Sequence, residues 1–183
     1  MQAILLIGIP ASGKTSFYVD RFLQTHMRLS LDVLRTRRRE GELFESCLRL
    51  RQPLVIDNTN VSAGERAAFI GPARESGFDV VGYFLESDLA ACLERNAARK
   101  GKAFVREEAL YSAAARLAVP TLQEGFGELH QVKMTPKGFR AQALRARPIA
   151  KAPSGPPWGP DEHADPSEDS PRKGRRPRLQ IRD

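Results

Sequence analysis

The segment GIPASGKT, residues 8–15, decides the fold of this chain. It satisfies the pattern G-x-x-x-x-G-K-[ST] in full and directly follows the apolar run Ala3–Ile7, which is typical of a strand buried on both faces. The two glycines let backbone N–H groups come close to phosphate oxygens, at the positive end of the helix that begins there. The segment therefore predicts a strand, a phosphate-binding loop (P-loop) and a helix, in that order.

Apolar runs of strand length alternate with helical patterns along the rest of the sequence. This alternation implies β-α-β crossovers and therefore a parallel sheet with helices on both faces, an α/β fold. Ser62 with Glu65 three residues later predicts a capping box, and Asp88 predicts another helix start. The five predicted strands are Ala3–Ile7, Arg28–Leu31, Pro53–Ile56, Phe78–Leu85 and the weaker Leu129–Met134. The predicted helices are Gly13–Gln24, a polar region up to Leu50 with a candidate break at Gly41, Ser62–Ser76, Asp88–Arg99 and Arg106–Ala118.

Polar residues follow the first three predicted strands: the P-loop follows the first, Asp32 the second and Asp57 the third. Ligands of such sheets bind beyond the carboxyl ends of the strands, so these residues are expected to share one site. Within the loop, Lys14 is suited to the β- and γ-phosphates of a nucleotide, and the hydroxyl of Thr15 is suited to Mg²⁺. The sequence therefore predicts that ATP and Mg²⁺ bind here.

Asp32 is followed three residues later by Arg35, a spacing that places both side chains on one face of a helix. A carboxylate in this position can accept the proton of an attacking hydroxyl, while the arginine binds an anionic group of the acceptor. The alternative is that Asp32 is a helix N-cap and Arg35 its salt-bridge partner. Taken alone, this pair of residues favours the cap.

The stretch Asp57-Asn58-Thr59-Asn60 follows the third predicted strand, where P-loop proteins carry the acidic residue that contacts Mg²⁺ or its water. The alternative is an Asx-rich turn that leads into the next helix. Four polar residues at the end of a strand are more than a turn needs, which favours a functional site.

Two arginines, Arg95 and Arg99, lie four positions apart and share a face of a predicted helix. Basic side chains on a mobile segment can close over a triphosphate and neutralise the charge that develops during transfer. A solvated basic helix face is the alternative, and it is the simpler interpretation of this pair alone.

Together these motifs resemble the kinase domain of polynucleotide 5′-hydroxyl kinases, over roughly residues 4–118. The loop carries Pro10 and Ser12, as in that group's G-x-P-x-S-G-K-[ST]. The segment 32–35 resembles the family's D-x-x-R, 55–60 its D-x-T-N segment, and 95–111 its lid. The sequence departs from the family at Arg106, where a proline is common. It also lacks the D-x-D-G-T phosphatase signature of the two-domain enzymes.

The resemblance implies a P-loop kinase fold with five parallel strands, and it implies roles for individual residues. The implied catalytic residues are Lys14, Asp32 as the base on the 5′-hydroxyl, and Arg99. The implied ATP-binding residues are Gly8, Pro10, Ala11, Ser12, Gly13, Lys14, Thr15, Ser16, Arg95 and Arg99. The implied acceptor-binding residues are Arg35, Arg38, Asp57, Thr59 and Asn60, with Thr15 as a ligand of Mg²⁺ and Asp57 a second contact through water.

The acceptor is the open question, because a similar outline occurs in small-molecule kinases and in zeta-type toxin kinases. The arginine run 37–39 beside Asp32, with Arg49 and Arg51 further on, favours the 5′-hydroxyl end of DNA or RNA, whose phosphates these cations would neutralise. A kinase of a small hydroxyl-bearing metabolite or nucleotide is the first alternative. An ATP-dependent binding or scaffold protein is the second, and it would need Lys14 and Thr15 but no base.

Composition sets the remaining expectations. The 183 residues carry a net charge of +7, which favours a polyanionic partner. Residues 145–183 are rich in proline and charge and predict a disordered tail, which leaves 1–144 as the P-loop kinase domain. The two cysteines, Cys47 and Cys92, have no metal-ligand spacing, and no apolar run is long enough to span a membrane. A cytoplasmic protein is expected, and its oligomeric state is left open.

Overall fold

The computed structural model describes residues 1–86 and 88–144, and the predicted tail lies outside these described residues. The strands are β1 Gln2–Ile7, β2 Met27–Leu29, β3 Leu54–Ile56, β4 Asp79–Leu85, β5 Glu128–Thr135 and β6 Gly138–Ala143. The helices are α1 Lys14–Arg21, α2 Leu31–Leu34, α3 Arg37–Arg49, α4 Ala63–Glu75, α5 Leu89–Ala97 and α6 Glu107–Arg116. Short 3₁₀ turns occupy Gly101–Ala103 and Leu122–Glu124.

The strands form one sheet in the order β2-β3-β1-β4-β5-β6. The first five strands of this order are parallel, as the alternating pattern predicts, and β6 pairs antiparallel with β5. The predicted count of five strands is therefore wrong by one. The sixth strand lies at the edge of the sheet and exposes most of its residues, so its sequence lacks the apolar run that marks the buried strands.

Both faces of the sheet are covered, which explains the continuous apolar run of β1. Ala3, Leu5 and Ile7 pack into the core cluster that also contains side chains of α3 and α4. Ile4 and Leu6 pack on the other face, against aromatic residues of α1. A third cluster joins α5 and α6 to the underside of the P-loop. The core thus fixes the carboxyl end of β1, where the loop begins.

The polar region after β2 breaks at a different place from the predicted one. The helix α3 continues through Gly41, and the break lies at Arg35, which has φ +70° and ends the single turn of α2. Thr36 then caps α3 by accepting a hydrogen bond from the N–H of Arg39. The side chains of 32–38 therefore do not follow one helical spacing.

Other predicted helix starts are confirmed. The hydroxyl of Ser62 accepts from the N–H of Glu65, and the carboxylate of Asp88 accepts from the N–H groups of Ala90 and Ala91. The Glu65 carboxylate accepts from the N–H of Val61 rather than that of the capping serine. Within 1–86 and 88–144, no helix combines the length and the apolar character needed to cross a membrane.

Candidate active site

A cavity of about 310 Å³ lies beyond the carboxyl ends of β1, β2 and β3, with the P-loop as one wall. The predicted residues that line it are Pro10, Ala11, Gly13, Lys14, Thr15, Ser16, Asp32, Asp57, Thr59 and Arg99. Four further residues line it that the sequence did not single out individually: Leu31, Arg37, Asn58 and Val105. Arg37 belongs to the predicted arginine run, and Asn58 to the predicted polar stretch 57–60. Six predicted residues lie elsewhere: Gly8, Ser12, Arg35, Arg38, Asn60 and Arg95.

The conformation of the P-loop depends on its two glycines. Gly13 has φ +96°, a left-handed conformation that favours glycine, and it immediately precedes α1. A Cβ atom at this position would also lie 2.6 Å from the terminal methyl of Met134 on β5. Gly8 has its N–H bonded to the carbonyl oxygen of Thr59, 2.9 Å away. This hydrogen bond connects the P-loop to the segment after β3, which forms another wall of the cavity.

Lys14 is buried in the loop, and its ammonium donates to the carbonyl oxygens of Gly8 and Ile9 at 2.9 and 2.8 Å. Burial lowers the pKa of Lys14 from 10.5 to about 8. The carboxylates of Asp57 and Asp32 oppose this decrease, whereas the positive charge of Arg99 adds to it. Near neutral pH the ammonium is therefore protonated and faces a cavity that contains both signs of charge.

The carboxylate of Asp57 is 2% exposed and anchors a cluster of three side chains. Its Oδ2 accepts from the hydroxyl of Thr15 at 2.8 Å and from Nε of Arg28 at 2.8 Å. Sequence reasoning missed Arg28, although a cation at the start of a short predicted strand was a visible signal. Asp57 therefore contacts the P-loop threonine directly and pairs with an arginine of β2.

Asp32 occupies the first turn of α2 and is exposed to the cavity. Ser30, not Asp32, is the N-cap residue of this helix. Within the described part of the chain, Asp32 makes no hydrogen bond or ion pair, so the alternative of a cap paired with Arg35 is wrong. Arg35 itself ends α2 in the left-handed region and does not line the cavity. The predicted common face of the two side chains is lost at this break.

Arg37 lines the cavity, whereas the predicted Arg38 does not. The side chain of Arg38 is 87% exposed and pairs with Glu42 one turn along α3. Arg37 donates to the buried carboxylate of Glu40 at 2.8 Å, and Glu40 also accepts from the amide of Asn58. This chain of contacts links the start of α3 to the loop after β3.

Asn60 is buried and turns away from the cavity, contrary to its predicted role in acceptor binding. Its amide donates to the carbonyl oxygen of Leu6 at 2.7 Å, and its backbone has φ +48°. The side chain therefore joins the ends of β1 and β3. Thr59 lines the cavity, as predicted.

The two predicted lid arginines have different positions. Arg95 lies outside the cavity, and its Nε donates to the carbonyl oxygen of Ala11 in the P-loop at 2.9 Å. Arg99 is exposed, lines the cavity, and lies 3.4 Å from the carbonyl oxygen of Ala103. Arg95 thus contacts the P-loop from outside the cavity, and Arg99 lines the cavity itself.

Comparison with known proteins agrees with this architecture. The profile of a protein family described as an AAA domain matches residues 4–120, which is more than half of the chain. The chain is also 27% identical over 135 residues to the bifunctional polynucleotide phosphatase/kinase of Schizosaccharomyces pombe. That alignment covers 72% of this chain and 33% of the relative, so the chain spans about a third of the length of that protein.

Solved structures with the same fold include Kti12 from Chaetomium thermophilum in complex with ADP-AlF3, with a TM-score of 0.55 at 14% identity. This match covers 72% of the chain and 88% of Kti12. A gluconokinase from Sinorhizobium meliloti matches with a TM-score of 0.50 at 18% identity, over 72% of this chain and 82% of that one. At these identities the likeness establishes the fold. The predicted P-loop kinase architecture is therefore confirmed.

Proposed function

The chain belongs to the AAA domain family, and from this premise we propose that it is an ATP-dependent kinase that phosphorylates the 5′-hydroxyl end of a polynucleotide. The observation that carries the proposal is the position of Asp32. Within the described part of the chain this carboxylate makes no hydrogen bond or ion pair, and it lines the same cavity as Lys14 and Thr15. A base beside a phosphate-binding loop serves phosphoryl transfer, whereas a nucleotide-binding scaffold does not need one.

In the proposed reaction, the loop N–H groups and Lys14 hold the β- and γ-phosphates of ATP. The acceptor hydroxyl attacks the γ-phosphorus, the bond from that phosphorus to the β–γ bridging oxygen breaks, and ADP leaves. Asp32 takes the hydroxyl proton. Arg99 lies at the cavity wall, where its charge would stabilise the transferring group. Catalysis here consists of positioning and charge, since phosphoryl transfer leaves little covalent chemistry to the protein.

The residues at the base of the loop suit Mg²⁺. The hydroxyl of Thr15 and the carboxylate of Asp57, which are 2.8 Å apart, are hard oxygen donors of the kind that this cation prefers. Within residues 1–86 and 88–144, no cluster of three His, Cys, Asp or Glu side chains forms an all-protein metal site. This fits a cation held mainly by phosphates. When bound, Mg²⁺ would neutralise charge on the β- and γ-oxygens. The proposal includes ATP, Mg²⁺ and the predicted cytoplasmic location.

Two observations support a polynucleotide as the acceptor. The relative from S. pombe is a polynucleotide phosphatase/kinase, and its alignment covers 72% of this chain. Exposed arginines also surround the α2–α3 break, beside Asp32: Arg35, Arg37, Arg38 and Arg39. Such a group of cations would bind the backbone phosphates that follow a 5′ end, with a strong dependence on salt.

The test is transfer of labelled γ-phosphate from ATP, in the presence of Mg²⁺, to a panel of acceptors. The panel contains DNA and RNA oligonucleotides with a 5′-hydroxyl, the same oligonucleotides with a 5′-phosphate, nucleosides and sugars. We expect label at 5′-hydroxyl ends and none on oligonucleotides whose 5′ end is already phosphorylated. The Lys14→Ala variant serves as the control and should show no transfer, because it lacks the charge at the β- and γ-phosphates.

The other outcomes distinguish the alternatives. Label only on sugars or nucleosides would assign the chain to the small-molecule kinases and reject the polynucleotide acceptor. Nucleotide binding without transfer to any member of the panel would favour the binding or scaffold protein. Undiminished transfer by Lys14→Ala would show that the P-loop is not the active site.

A further inference from the structure

Arg28 contacts the residues at the base of the P-loop but has no role in the proposed mechanism. It lies in β2, and two of its nitrogens point at one oxygen of Asp57: Nη2 is 2.6 Å and Nε is 2.8 Å from Oδ2. Nη2 is also 3.2 Å from the hydroxyl oxygen of Thr15. A permanently charged guanidinium is therefore within hydrogen-bonding distance of both oxygens that suit Mg²⁺.

The sheet fixes this arrangement. Strands β2 and β3 are parallel neighbours with Leu29 opposite Ile56, and the N–H of Asp57 bonds to the carbonyl oxygen of Leu29. The Arg28 side chain is 25% exposed, and its guanidinium lies over the ring of Tyr18, 5.7 Å from the ring centre. Strand register and packing thus hold the cation in place, unlike a surface arginine that moves freely.

The charge of Arg28 opposes the binding of a second cation at the same oxygens. The nearly buried carboxylate of Asp57 is already neutralised, and one lone-pair direction of the Thr15 oxygen already faces a donor. The cavity also holds the carboxylate of Asp32, but the ammonium of Lys14 and the guanidinium of Arg99 more than offset its charge. Free Mg²⁺ would therefore meet a site with little net negative charge, and only the phosphates of a nucleotide supply the missing charge.

We propose that Arg28 is a positioning residue that balances the charge of Asp57 and thereby makes the site take its divalent cation together with nucleotide phosphates rather than alone. The inference rests on the proposed function, because it assumes that phosphates and Mg²⁺ bind at the P-loop. It adds the order of assembly: the site binds the metal–nucleotide complex and excludes the free metal. Arg28 also keeps the Asp57 carboxylate directed at the hydroxyl of Thr15.

The test measures Mn²⁺ binding in the absence of any acceptor. Electron paramagnetic resonance of the free ion reports how much Mn²⁺ remains unbound. The wild-type protein, Arg28→Met and Arg28→Lys are compared, each with and without ADP. We expect the wild-type protein to bind Mn²⁺ weakly alone and tightly with ADP. Arg28→Met should bind Mn²⁺ alone at least tenfold more tightly than wild type. Arg28→Lys retains the charge and should stay within about threefold of wild type.

A matched control tests whether the Asp57 carboxylate causes the tighter Mn²⁺ binding of Arg28→Met. Adding Asp57→Asn to Arg28→Met should reverse the gain, because the uncompensated carboxylate is what attracts the ion. The melting temperature gives a second readout, which also serves if a variant is destabilised. Mn²⁺ without nucleotide should raise the melting temperature of Arg28→Met and leave the melting temperature of wild type nearly unchanged. Arg28→Gln is the substitute if the methionine variant does not fold.

The possible failures are distinguishable. Equal Mn²⁺ affinity of wild type and the uncharged variants without ADP, with tight binding in its presence, would overturn the role of Arg28 alone. Absence of Mn²⁺ binding to wild type even with ADP would contradict the proposed nucleotide–metal site, and the inference would fail with it.

Discussion

The guanidinium of Arg95 on α5 donates through Nε to the main-chain carbonyl oxygen of Ala11, 2.9 Å away in the P-loop. Ala11 has φ +62°, a conformation that is costly for a residue with a Cβ and that persists only where the surroundings fix it. Nη2 of the same arginine lies 3.1 Å from the sulfur of the buried Cys92, which restrains the guanidinium. Arg95 therefore stabilises the shape of the loop from outside the cavity.

We expect Arg95→Ala to weaken nucleotide binding by about 5- to 30-fold, which corresponds to about 1–2 kcal/mol for a hydrogen bond from a charged donor. Without this hydrogen bond the P-loop would be less ordered in the free protein, and ordering it on nucleotide binding would cost free energy. Titration with a fluorescent ADP analogue measures the effect. Glu94→Ala, an exposed change on the same helix, is the control and should bind as wild type does. Wild-type affinity in Arg95→Ala would reject the bracing role.

The lowered pKa of Lys14 predicts two opposite pH dependences. Between about pH 8 and 10.5 the folded protein has lost the Lys14 proton while the unfolded chain retains it, so the free energy of unfolding rises with pH in this window. Phosphate binding requires the ammonium, so the affinity for nucleotide falls over the same window, by up to about tenfold per pH unit. Denaturant unfolding and nucleotide titration at several pH values measure both. Lys14→Met should abolish the two slopes; if the slopes persist, another group is responsible.

The sequence predicted that three residues would lie together because the carboxyl ends of neighbouring parallel strands meet at one edge of the sheet. Lys14, Asp32 and Asp57 are far apart along the chain but follow three parallel strands, and they line one cavity. The acceptor side was predicted less well because α2 ends after one turn. The left-handed Arg35 redirects the chain, so the residue that reaches the cavity is Arg37 rather than Arg35 or Arg38. A single backbone angle of this kind leaves no pattern in the sequence.

Two other residues show why polar side chains were hard to assign. Asn60 belongs to a polar motif at the end of a strand, but its amide satisfies the carbonyl oxygen of Leu6 in the interior. Arg28 was predicted as the first residue of the second strand, yet its side chain pairs with Asp57, which directly follows β3. Composition and spacing predict that polar groups occur at a strand end. Which of them faces the ligand and which completes the hydrogen bonds of the core depends on packing.

Arg37 and Arg38 are adjacent on α3 and provide a matched pair for testing the acceptor site. We expect Arg37→Gln to raise the KM for a 5′-hydroxyl oligonucleotide about tenfold, because the cavity wall loses a cation and retains the buried carboxylate of Glu40 with which that cation pairs. If Arg37 contacts a phosphate, the salt dependence of oligonucleotide binding should decrease by about one counterion. Arg38→Gln removes an exposed charge paired with Glu42 and should change the KM less than twofold. A larger effect of Arg38→Gln than of Arg37→Gln would reverse the assignment.

The role of Asp32 is decided by variants that separate proton transfer from stability. Asp32→Asn retains the shape of the side chain, but its amide cannot accept the hydroxyl proton. Transfer should therefore fall by about 10²–10⁴-fold, the usual effect of a positioned base. Nucleotide affinity should stay near that of wild type, because the P-loop is unchanged. Rates of 5′-phosphorylation, together with ADP titration, measure both quantities.

Stability distinguishes this role from a structural one. Since Asp32 is not the N-cap residue of α2, removing the carboxylate by Asp32→Ala costs only its interaction with the start of a one-turn helix, about 0.3–1 kcal/mol at most. The melting temperatures of both Asp32 variants should therefore stay close to that of wild type, while both lose transfer. Asp20→Asn makes the same chemical change on the exposed part of α1, where Asp20 pairs with Arg21, and should keep full activity. Near-normal phosphorylation by Asp32→Asn would defeat the assignment of the base and leave a P-loop domain whose acceptor is activated by another group.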